Sequence, residues 1–349
     1  MPLTMKAAVL RAAQRLAVET DIVVPVPAKG QVLVKLAYSG VCRSQLMEVG
    51  GERGEDKYLP HLLGHEGSGI VVETGSGVTK VRAGDRVVLT WIKGEGLEAG
   101  GCRYEKGGTY INAGPVTTLN EYAVVSENRC VRLPDGVPME IGVLFGCALP
   151  TGAGIVFNEI KPKENTTLAV FGLGGIGMSA LLATRLYPLA KIIAVDVEAD
   201  KLDMAKEFGA THCVNASQEA DPAAAVRKMT DGKGVDYAVE ATGTVSVIEQ
   251  AFESVRPNGG LCVFASHPKA GDKIRLDPHA LISGKQIRGS WGGACFPDRD
   301  IPLLASLYAK DKALFKKLTS HVYTLDEVNK ALDDLAARRV VRALIRFSE

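Results

Sequence analysis

One stretch in the middle of the chain, AVFGLGGIGMSA at residues 169–180, restricts the fold more than any other. A strand-like run leads into Gly172-x-Gly174-x-x-Gly177, and a helix-like run follows. In this pattern the first glycine makes a tight turn, the second lets the backbone approach a pyrophosphate, and the third lets helix and strand pack closely. The helix N-terminus then offers free N–H groups to phosphates. The pattern predicts a parallel α/β sheet that binds a dinucleotide.

The predicted cofactor contacts are the residues of this turn: Gly172, Leu173, Gly174, Gly175, Ile176 and Gly177. The next predicted strand, KIIAVD, ends at Asp196, 19 residues after Gly177. An acid at this distance can accept hydrogen bonds from the adenosine ribose and would repel a 2′-phosphate, which favours NAD over NADP. The alternative is a glycine-rich turn without a ligand, in which Asp196 caps the following helix.

Strand and helix patterns alternate around this motif, as is typical of a parallel α/β sheet. The predicted strands cover residues 167–172, 191–195, 235–240, 260–265 and 286–290. The predicted helices cover residues 175–187, 198–208, 219–230 and 244–256. We therefore assign residues 151–292 to a cofactor-binding domain.

The first 150 residues instead alternate short β-rich runs with Gly, Pro and Asp, which predicts a compact, barrel-like β domain. Within it, residues 93–118 carry many glycines and little periodicity, so we predict a long loop there. After residue 292 a helix near 300–309, an amphipathic helix near 325–338 and a closing strand, RALIRF, are predicted to pack back onto the first domain. A chain of 349 residues is too long for one ordinary core, and the expected division is 1–150 with 293–349, and 151–292.

The composition excludes several classes of partner. Lys and Arg number 41 against 40 Asp and Glu, so we expect neither nucleic acid nor an anionic membrane as a partner. No run of about 18 apolar residues occurs and the N-terminal residues lack a signal-like apolar stretch, so we expect a cytoplasmic protein. The seven cysteines, scattered and odd in number, indicate free thiols or metal ligands rather than a disulfide framework.

Four residues are candidate metal ligands: Cys42 in SGVCRSQ, His65 and Glu66 in LGHEG, and Cys147 in FGCALPTGAG. Taken singly, a buried cysteine is usually a small hydrophobic residue and a histidine beside glycine is usually part of a turn. Cysteine and histidine together suit Zn²⁺, and three protein ligands with one open position make a catalytic site. A dinucleotide-binding domain in the same chain strengthens the prediction that these residues bind a catalytic metal, because hydride chemistry on an alcohol needs a Lewis acid.

The motifs GVCRS, GHEGSGIV, GDRV, GCALPTGAG, VFGLGGIG and VD, in this order, resemble the zinc-dependent medium-chain dehydrogenases, the alcohol dehydrogenase family. The resemblance covers essentially the whole chain. It implies a GroES-like β-barrel catalytic domain and a Rossmann domain with a doubly wound parallel sheet. It also implies one catalytic Zn²⁺ bound by Cys42, His65 and Cys147, with Glu66 as a carboxylate that can transiently approach the metal. Ser44 matches a hydroxyl that hydrogen-bonds the substrate oxygen and takes its proton.

The same resemblance assigns further cofactor contacts. Arg43 and Arg342 match residues that contact the cofactor pyrophosphate, Thr151 matches one beside the nicotinamide, and Lys201 matches one near the adenosine ribose. The substrate implied is a small-molecule alcohol or carbonyl compound, and the assembly implied is a homodimer or homotetramer.

Three positions depart from the family pattern. The loop in which many relatives bind a structural zinc through four cysteines has only Cys102 here, so we predict no structural zinc. Met47 replaces a histidine that passes the proton to solvent in many relatives. Gln45 replaces an aspartate that often orients the zinc-bound histidine; a neutral amide can still accept that hydrogen bond, without adding negative charge.

The function expected is reversible hydride transfer between a primary or secondary alcohol and the nicotinamide, with Ser44 accepting the proton. Polar and aromatic residues of the 93–118 region would suit a polyol or sugar derivative: Glu95, Glu98, Arg103, Tyr104, Tyr110 and Asn112. Two alternatives stay open. One is a zinc-free quinone or enone reductase of the same superfamily, whose members lack the Cys/His/Cys set, and the other is a non-catalytic NAD-binding protein.

Overall fold

The structure, a computed structural model, describes residues 1–319 and 321–347. The chain divides into two compact units. The first combines Met1–Cys147 with Phe296–Glu349, and the second is Ala148–Cys295.

The strands, in chain order, are β1 Thr4–Leu10, β2 Ala17–Val23, β3 Gln31–Val41, β4 His61–Leu62, β5 Glu66–Thr74, β6 Arg86–Thr90, β7 Cys102–Lys106, β8 Thr109–Ala113, β9 Tyr122–Ser126, β10 Cys130–Arg132, β11 Thr167–Phe171, β12 Lys191–Asp196, β13 His212–Asn215, β14 Tyr237–Glu240, β15 Leu261–Phe264, β16 Gln286–Gly289, β17 His321–Tyr323 and β18 Ala343–Arg346. The α-helices are α1 Arg43–Val49, α2 Met139–Gly142, α3 Ala148–Gly154, α4 Gly175–Thr184, α5 Ala199–Glu207, α6 Pro222–Lys228, α7 Val245–Ser254, α8 Pro278–Ile282, α9 Pro297–Lys310, α10 Lys312–Leu318 and α11 Val328–Ala336.

The first unit is built from two β-sheets. Strands β1, β2, β7, β8 and β4 close into a small barrel, and β10, β6, β5, β3, β18 and β17 form a second sheet in which β9 also pairs with β3. The closing strand β18, in the C-terminal segment, pairs antiparallel with β3. Strand β3 is therefore central, and the chain leaves it directly into α1.

The prediction of a long loop over residues 93–118 is wrong. Strands β7 and β8 form an antiparallel hairpin there, with Lys106 opposite Thr109. The two residues between them, Gly107 and Gly108, both have positive φ, as a tight hairpin turn of the mirror-image type requires. Tyr104 and Ile111 face each other across the hairpin and are fully buried. Two of the glycines that suggested irregularity form this turn.

The second unit is a six-stranded parallel sheet with the order β13-β12-β11-β14-β15-β16. The chain runs outward from β11 in both directions, which is the doubly wound arrangement predicted from the sequence. Strand β13 and helix α8 were not predicted from the sequence. In the part of the chain that the structure describes, no single helix is long and apolar enough to cross a membrane, although one bent pair of helices reaches that length and composition together.

Candidate metal centre and dinucleotide turn

Cys42 sits at the N-terminus of α1, where the sequence ends strand β3 and starts a helix. Its side chain caps the helix: Ser44 N–H donates to Cys42 Sγ at 3.4 Å. The first turn of a helix carries partial positive charge, and both this field and the N–H donor stabilise a thiolate. The local fold thus prepares Cys42 as an anionic ligand.

His65 lies between Gly64 and the start of β5, with its imidazole turned towards the cysteines. Its Nε2 atom is 3.3 Å from Cys42 Sγ and 3.3 Å from Cys147 Sγ. Gly64 has φ +91°, and a Cβ there would lie 2.4 Å from Thr118 Oγ1, so glycine is required for the turn to pass this close to its neighbour. The turn delivers His65 to two sulfur atoms at equal distance.

Glu66 is the first residue of β5 and is fully buried. Two glycines make room for its side chain: a Cβ on Gly40 would lie 2.5 Å from Glu66 Cδ, and one on Gly146 would lie 2.7 Å from Glu66 Cβ. Arg342, itself 5% exposed, donates from its NH2 group to Glu66 Oε1. Within the described chain, Glu66 Oε2 is buried and has no hydrogen-bond partner.

The pKa values of the Cys42 and Cys147 thiols are shifted in opposite directions. A hydrogen bond from Cys147 lowers the pKa of Cys42 well below its usual range, aided by His65. The same hydrogen bond, together with burial, raises the pKa of Cys147. Burial also raises the pKa of Glu66, although Arg342 opposes this shift. The lowered pKa of Cys42 agrees with its helix-capping position.

The arrangement fits a metal ion. Ligand atoms of Cys42, His65, Glu66 and Cys147, here called the ligand cluster, all lie within 4.8 Å of one another. Zn–S and Zn–N bonds of about 2.3 and about 2.0 Å at tetrahedral angles place sulfur and nitrogen about 3.5 Å apart, close to the distances around His65 Nε2. Sulfur and imidazole donors suit zinc, and Glu66 Oε2 supplies an additional oxygen without a protein partner. The four predicted ligands are thus brought together.

Ser44 lies beside this cluster. Its Oγ atom is 3.1 Å from Cys42 Sγ and 3.4 Å from His65 Nδ1. Met47, on the same helix, is buried and carries no transferable proton. The structure therefore places a hydroxyl at the ligand cluster and a thioether three residues further along the same helix.

The dinucleotide turn, residues 172–177, has the backbone that its glycines predict. Gly172 has φ +88°, and a Cβ on Gly177 would lie 1.9 Å from Gly172 O. A Cβ on Gly174 would meet no protein atom within 4 Å. Packing inside the protein therefore explains two of the glycines, and the third leaves open space where a pyrophosphate would approach. Helix α4 begins here without a side-chain cap.

Asp196 ends strand β12 and accepts hydrogen bonds from Leu173 N at 2.6 Å and from Glu198 N at 3.0 Å. It is not the N-cap of α5, which is Glu198. Among the other assigned cofactor contacts, Lys201 lies on α5 and Arg43 is the exposed first residue of α1. Thr151 lies on α3, and in the described chain its buried Oγ1 has no hydrogen-bond partner.

The sequence did not reveal how Glu66 is held. Arg342 was assigned to the cofactor pyrophosphate, and the structure places its guanidinium on Glu66, 276 residues away in sequence. Gly40 and Gly146, which leave room for the Glu66 side chain, are here called the glycine cradle. The sequence signal for it is a glycine shortly before each cysteine ligand: Gly40 is two residues before Cys42, and Gly146 is directly before Cys147.

Comparisons with known proteins agree with this geometry. The alcohol dehydrogenase GroES-like domain family matches residues 28–135, and the zinc-binding dehydrogenase family matches residues 175–310. The class-P alcohol dehydrogenase of Arabidopsis thaliana is 31% identical over 97% of this chain and 96% of its own length. An S-(hydroxymethyl)glutathione dehydrogenase of Escherichia coli (strain SMS-3-5 / SECEC) is 30% identical over 94% of this chain and 95% of its own length.

Solved structures extend the similarity to the fold. Benzyl alcohol dehydrogenase from Acinetobacter calcoaceticus superposes with a TM-score of 0.88 at 29% identity, covering 99% of this chain and 100% of that one. 2R,3R-butanediol dehydrogenase from Bacillus subtilis superposes with a TM-score of 0.77 at 26% identity, again covering 99% and 100%. The matches confirm the predicted combination of a GroES-like domain with a Rossmann domain.

Proposed function

Because the chain belongs to the zinc-dependent medium-chain alcohol dehydrogenase family, we propose that it is an NAD-linked alcohol dehydrogenase. Its reaction would move a hydride between the carbinol carbon of a primary or secondary alcohol and the nicotinamide. The observation that carries this proposal is the ligand cluster, in which two sulfurs, an imidazole and a carboxylate converge within 4.8 Å beside the hydroxyl of Ser44.

Cys42, His65 and Cys147 would hold the zinc ion, with Glu66 close enough to approach it transiently. A zinc ion in this position supplies Lewis-acid chemistry, which stabilises an alkoxide and lowers the pKa of an alcohol. The glycine cradle and Arg342 keep the Glu66 carboxylate at the cluster. The chain's own contribution is thus a fixed set of donors of the right chemical kind.

Ser44 would accept the proton of the alcohol at its Oγ atom. Its position at the second residue of α1, 3.1 Å from a zinc ligand, suits this role. Met47 cannot carry the proton onward, so the proton would leave by way of a cofactor ribose hydroxyl or another side chain. Replacing Ser44 with alanine should lower kcat by about 10²–10⁴-fold, the usual range for a lost general base, while Ser44→Thr should retain most activity.

The dinucleotide turn would bind the pyrophosphate through the N-terminus of α4, with Arg43 as a cationic contact, whereas Arg342, first assigned there, contacts Glu66. Asp196 and Lys201 would face the adenosine ribose, and Thr151 the nicotinamide. A carboxylate at Asp196 would repel a 2′-phosphate, so we expect a higher kcat/KM with NAD than with NADP. Asp196→Ala should lower the ratio of kcat/KM with NAD to kcat/KM with NADP. An unchanged ratio would contradict the assignment of Asp196 to the adenosine ribose.

The substrate class is the least defined part of the proposal. The names of the similar proteins cover an alcohol, an aryl alcohol, a vicinal diol and S-(hydroxymethyl)glutathione. Of the residues that suggested a polyol or sugar derivative, Tyr104 is buried in the barrel and Asn112 donates to the carbonyl of Tyr58, so these two are structural. A panel of simple alcohols, aryl alcohols, polyols and sugar derivatives, read by NADH absorbance, assigns the class.

The decisive test joins metal analysis with one substitution. We expect one zinc per chain, and we expect Cys42→Ala to lose both zinc and activity. Cys213→Ala, which removes a thiol outside the ligand cluster, is the matched control and should retain both. A protein without bound zinc whose activity survives Cys42→Ala would overturn the proposal in favour of the zinc-free reductase. Zinc binding without turnover of any alcohol or carbonyl compound would favour the non-catalytic alternative.

The remaining expectations stay predictions. A homodimer or homotetramer is expected from the family, and sedimentation analysis measures it. A cytoplasmic location, the lack of a structural zinc and the lack of nucleic-acid or membrane partners rest on the sequence alone.

A further inference from the structure

The side chain of Gln45 links two donors at the ligand cluster. It is the third residue of α1 and is 1% exposed. Its Oε1 atom accepts from Cys42 N at 2.9 Å, and its Nε2 atom faces His65 Nδ1. The amide therefore sits between the backbone of one proposed zinc ligand and the ring of another. We propose that Gln45 lowers the zinc affinity of this site, because its amide cannot serve both donors once His65 binds metal; this inference rests on the proposed function.

The position of the proton on the imidazole decides which ring nitrogen can bind a metal ion. With Gln45 Nε2 donating to His65 Nδ1, the ring carries its own proton on Nε2, the atom 3.3 Å from both cysteine sulfurs. A metal ion at the cluster needs the Nε2 lone pair, so the proton must move to Nδ1. The Nδ1–H group would then point at the amide NH2 of Gln45, donor against donor.

Rotating the amide does not remove this conflict. Turned by half a revolution, the amide oxygen would accept from His65 Nδ1–H, but its NH2 group would face Cys42 N–H. The remaining neighbour, Ser44 Oγ, lies 3.4 Å from His65 Nδ1, at the long limit of a hydrogen bond. In either orientation one buried donor loses its acceptor when the ring is ligated. In the metal-free protein only the first orientation gives Cys42 N–H an acceptor, so the conflict arises when the ring binds metal.

A carboxylate has no such conflict, because both of its oxygens accept. One oxygen would take Cys42 N–H and keep the helix cap, and the other would take His65 Nδ1–H and fix the ligating tautomer. Partners that orient a metal-bound histidine typically change metal affinity by about 10–100-fold. We expect Gln45→Glu, which keeps the length of the side chain, to tighten zinc binding by about this factor.

The experiment uses the full chain, stripped of metal and titrated with zinc in competition with a chromogenic chelator. Gln218→Glu adds the same charge at an exposed position and is the matched control, with zinc affinity expected within about twofold of the parent protein. Gln45→Asp is the second variant, should Gln45→Glu fail to fold, and should also bind more tightly. Equal or weaker binding by the carboxylate variants overturns the inference while leaving the proposed function intact. No zinc binding by the parent protein overturns both.

A second measurement reports the tautomer directly. Long-range ¹H–¹⁵N correlation, with His65→Gln used for assignment, should show the ring proton on Nε2 in the metal-stripped parent protein and on Nδ1 in Gln45→Glu. A parent protein with its proton already on Nδ1 would overturn the inference, whatever the measured affinities.

Discussion

Two buried glutamates of the first unit have opposite surroundings. Glu66 and Glu127 are 0% and 1% exposed. Glu127 accepts three backbone hydrogen bonds, from Thr79 N at 2.6 Å and Lys80 N at 2.8 Å on Oε1, and from Leu97 N at 2.7 Å on Oε2. Glu66 accepts from Arg342 on one oxygen, and its other oxygen has no partner among the described residues.

The pKa values of the two carboxyl groups are shifted in opposite directions. Burial raises the pKa of both carboxyl groups, but at Glu127 the amides of Leu97, Thr79 and Lys80 outweigh burial and lower its pKa overall. At Glu66 burial prevails over Arg342 and the pKa is raised. A buried carboxylate with all its oxygens engaged by fixed amides is a structural anchor, whereas one with an open oxygen beside sulfur and imidazole donors is available to a metal ion.

Glu127 also explains how the loop over residues 91–101, which lacks the cysteines of a structural zinc site, is held in place. Glu127 accepts from Leu97 N in this loop. The neighbouring Ser126 Oγ accepts from Ala99 N at 2.8 Å and donates to Leu97 O at 3.0 Å. Arg129 Nη1 donates to Trp91 O at 2.6 Å. Protein groups thus fix this loop. We therefore expect metal to bind beside Glu66 and not beside Glu127.

Metal removal gives the largest expected effect. Chelation should lower activity by more than about 10³-fold, because the Lewis acid is lost. Zinc should restore it at a stoichiometry of one per chain, as measured by elemental analysis of active protein. Two zinc ions per chain would contradict this expectation, because the second ion would have to lie outside the ligand cluster.

Glu127→Gln should be the most destabilising of the carboxylate substitutions. An amide offers one acceptor oxygen, so its NH2 group would face a backbone N–H, and hydrogen bonds to a charged acceptor contribute about 1.5–3 kcal/mol each. We expect the free energy of unfolding, from urea titration, to fall by about 2–3 kcal/mol. Glu105→Gln, at an exposed position of β7, is the matched control and should change it by less than about 0.5 kcal/mol. The zinc content should stay at one per chain.

Glu66→Gln should show the reverse pattern. The amide oxygen can still accept from Arg342 and the neutral side chain avoids the burial of a charge, but Arg342 loses its counter-charge, so the free energy of unfolding should fall, by less than in Glu127→Gln. The loss of the carboxylate beside the ligands should lower kcat/KM by about 10–100-fold. Glu127→Gln, assayed well below its unfolding temperature, is the control and should keep its kcat/KM. Equal losses of activity in the two variants would show that the two carboxylates do not differ in role.

Local patterns explain why so much of this molecule could be predicted. The glycines at 172, 174 and 177 act within one turn, and the parallel sheet around them follows from alternating short periodic segments. The ligand set was predicted because Cys42, His65 and Cys147 each stand in a motif that resembles a known family. The hairpin of β7 and β8 was missed because its Gly107–Gly108 turn was interpreted as loop composition rather than as a turn signal.

Contacts between distant segments could not be predicted in this way. Arg342 meets Glu66 only because β18 pairs with β3 and β3 pairs with β5. The three amides on Glu127 come from two loops, and nothing in the local sequence of either loop marks them as donors. Gln45 appeared adequate as an acceptor for His65 until the structure showed that its oxygen is already bonded to Cys42 N.

The smallest expected effect is the pH dependence of the Glu127 anchor. Because the folded-state pKa of Glu127 is lowered, its stabilising contribution is complete above the unfolded-state pKa of about 4.3 and is lost as the pH falls through the folded value. The difference in free energy of unfolding between the parent protein and Glu127→Gln should therefore be constant from pH 7 to about pH 5 and narrow below it. Urea titrations of the parent protein and of Glu127→Gln, both without metal, measure this difference. The other carboxylates contribute equally to both proteins, so their pH dependence cancels in the difference. A difference that stays constant down to pH 3.5 would mean that the three amides do not distinguish the charged form of Glu127 from its neutral form.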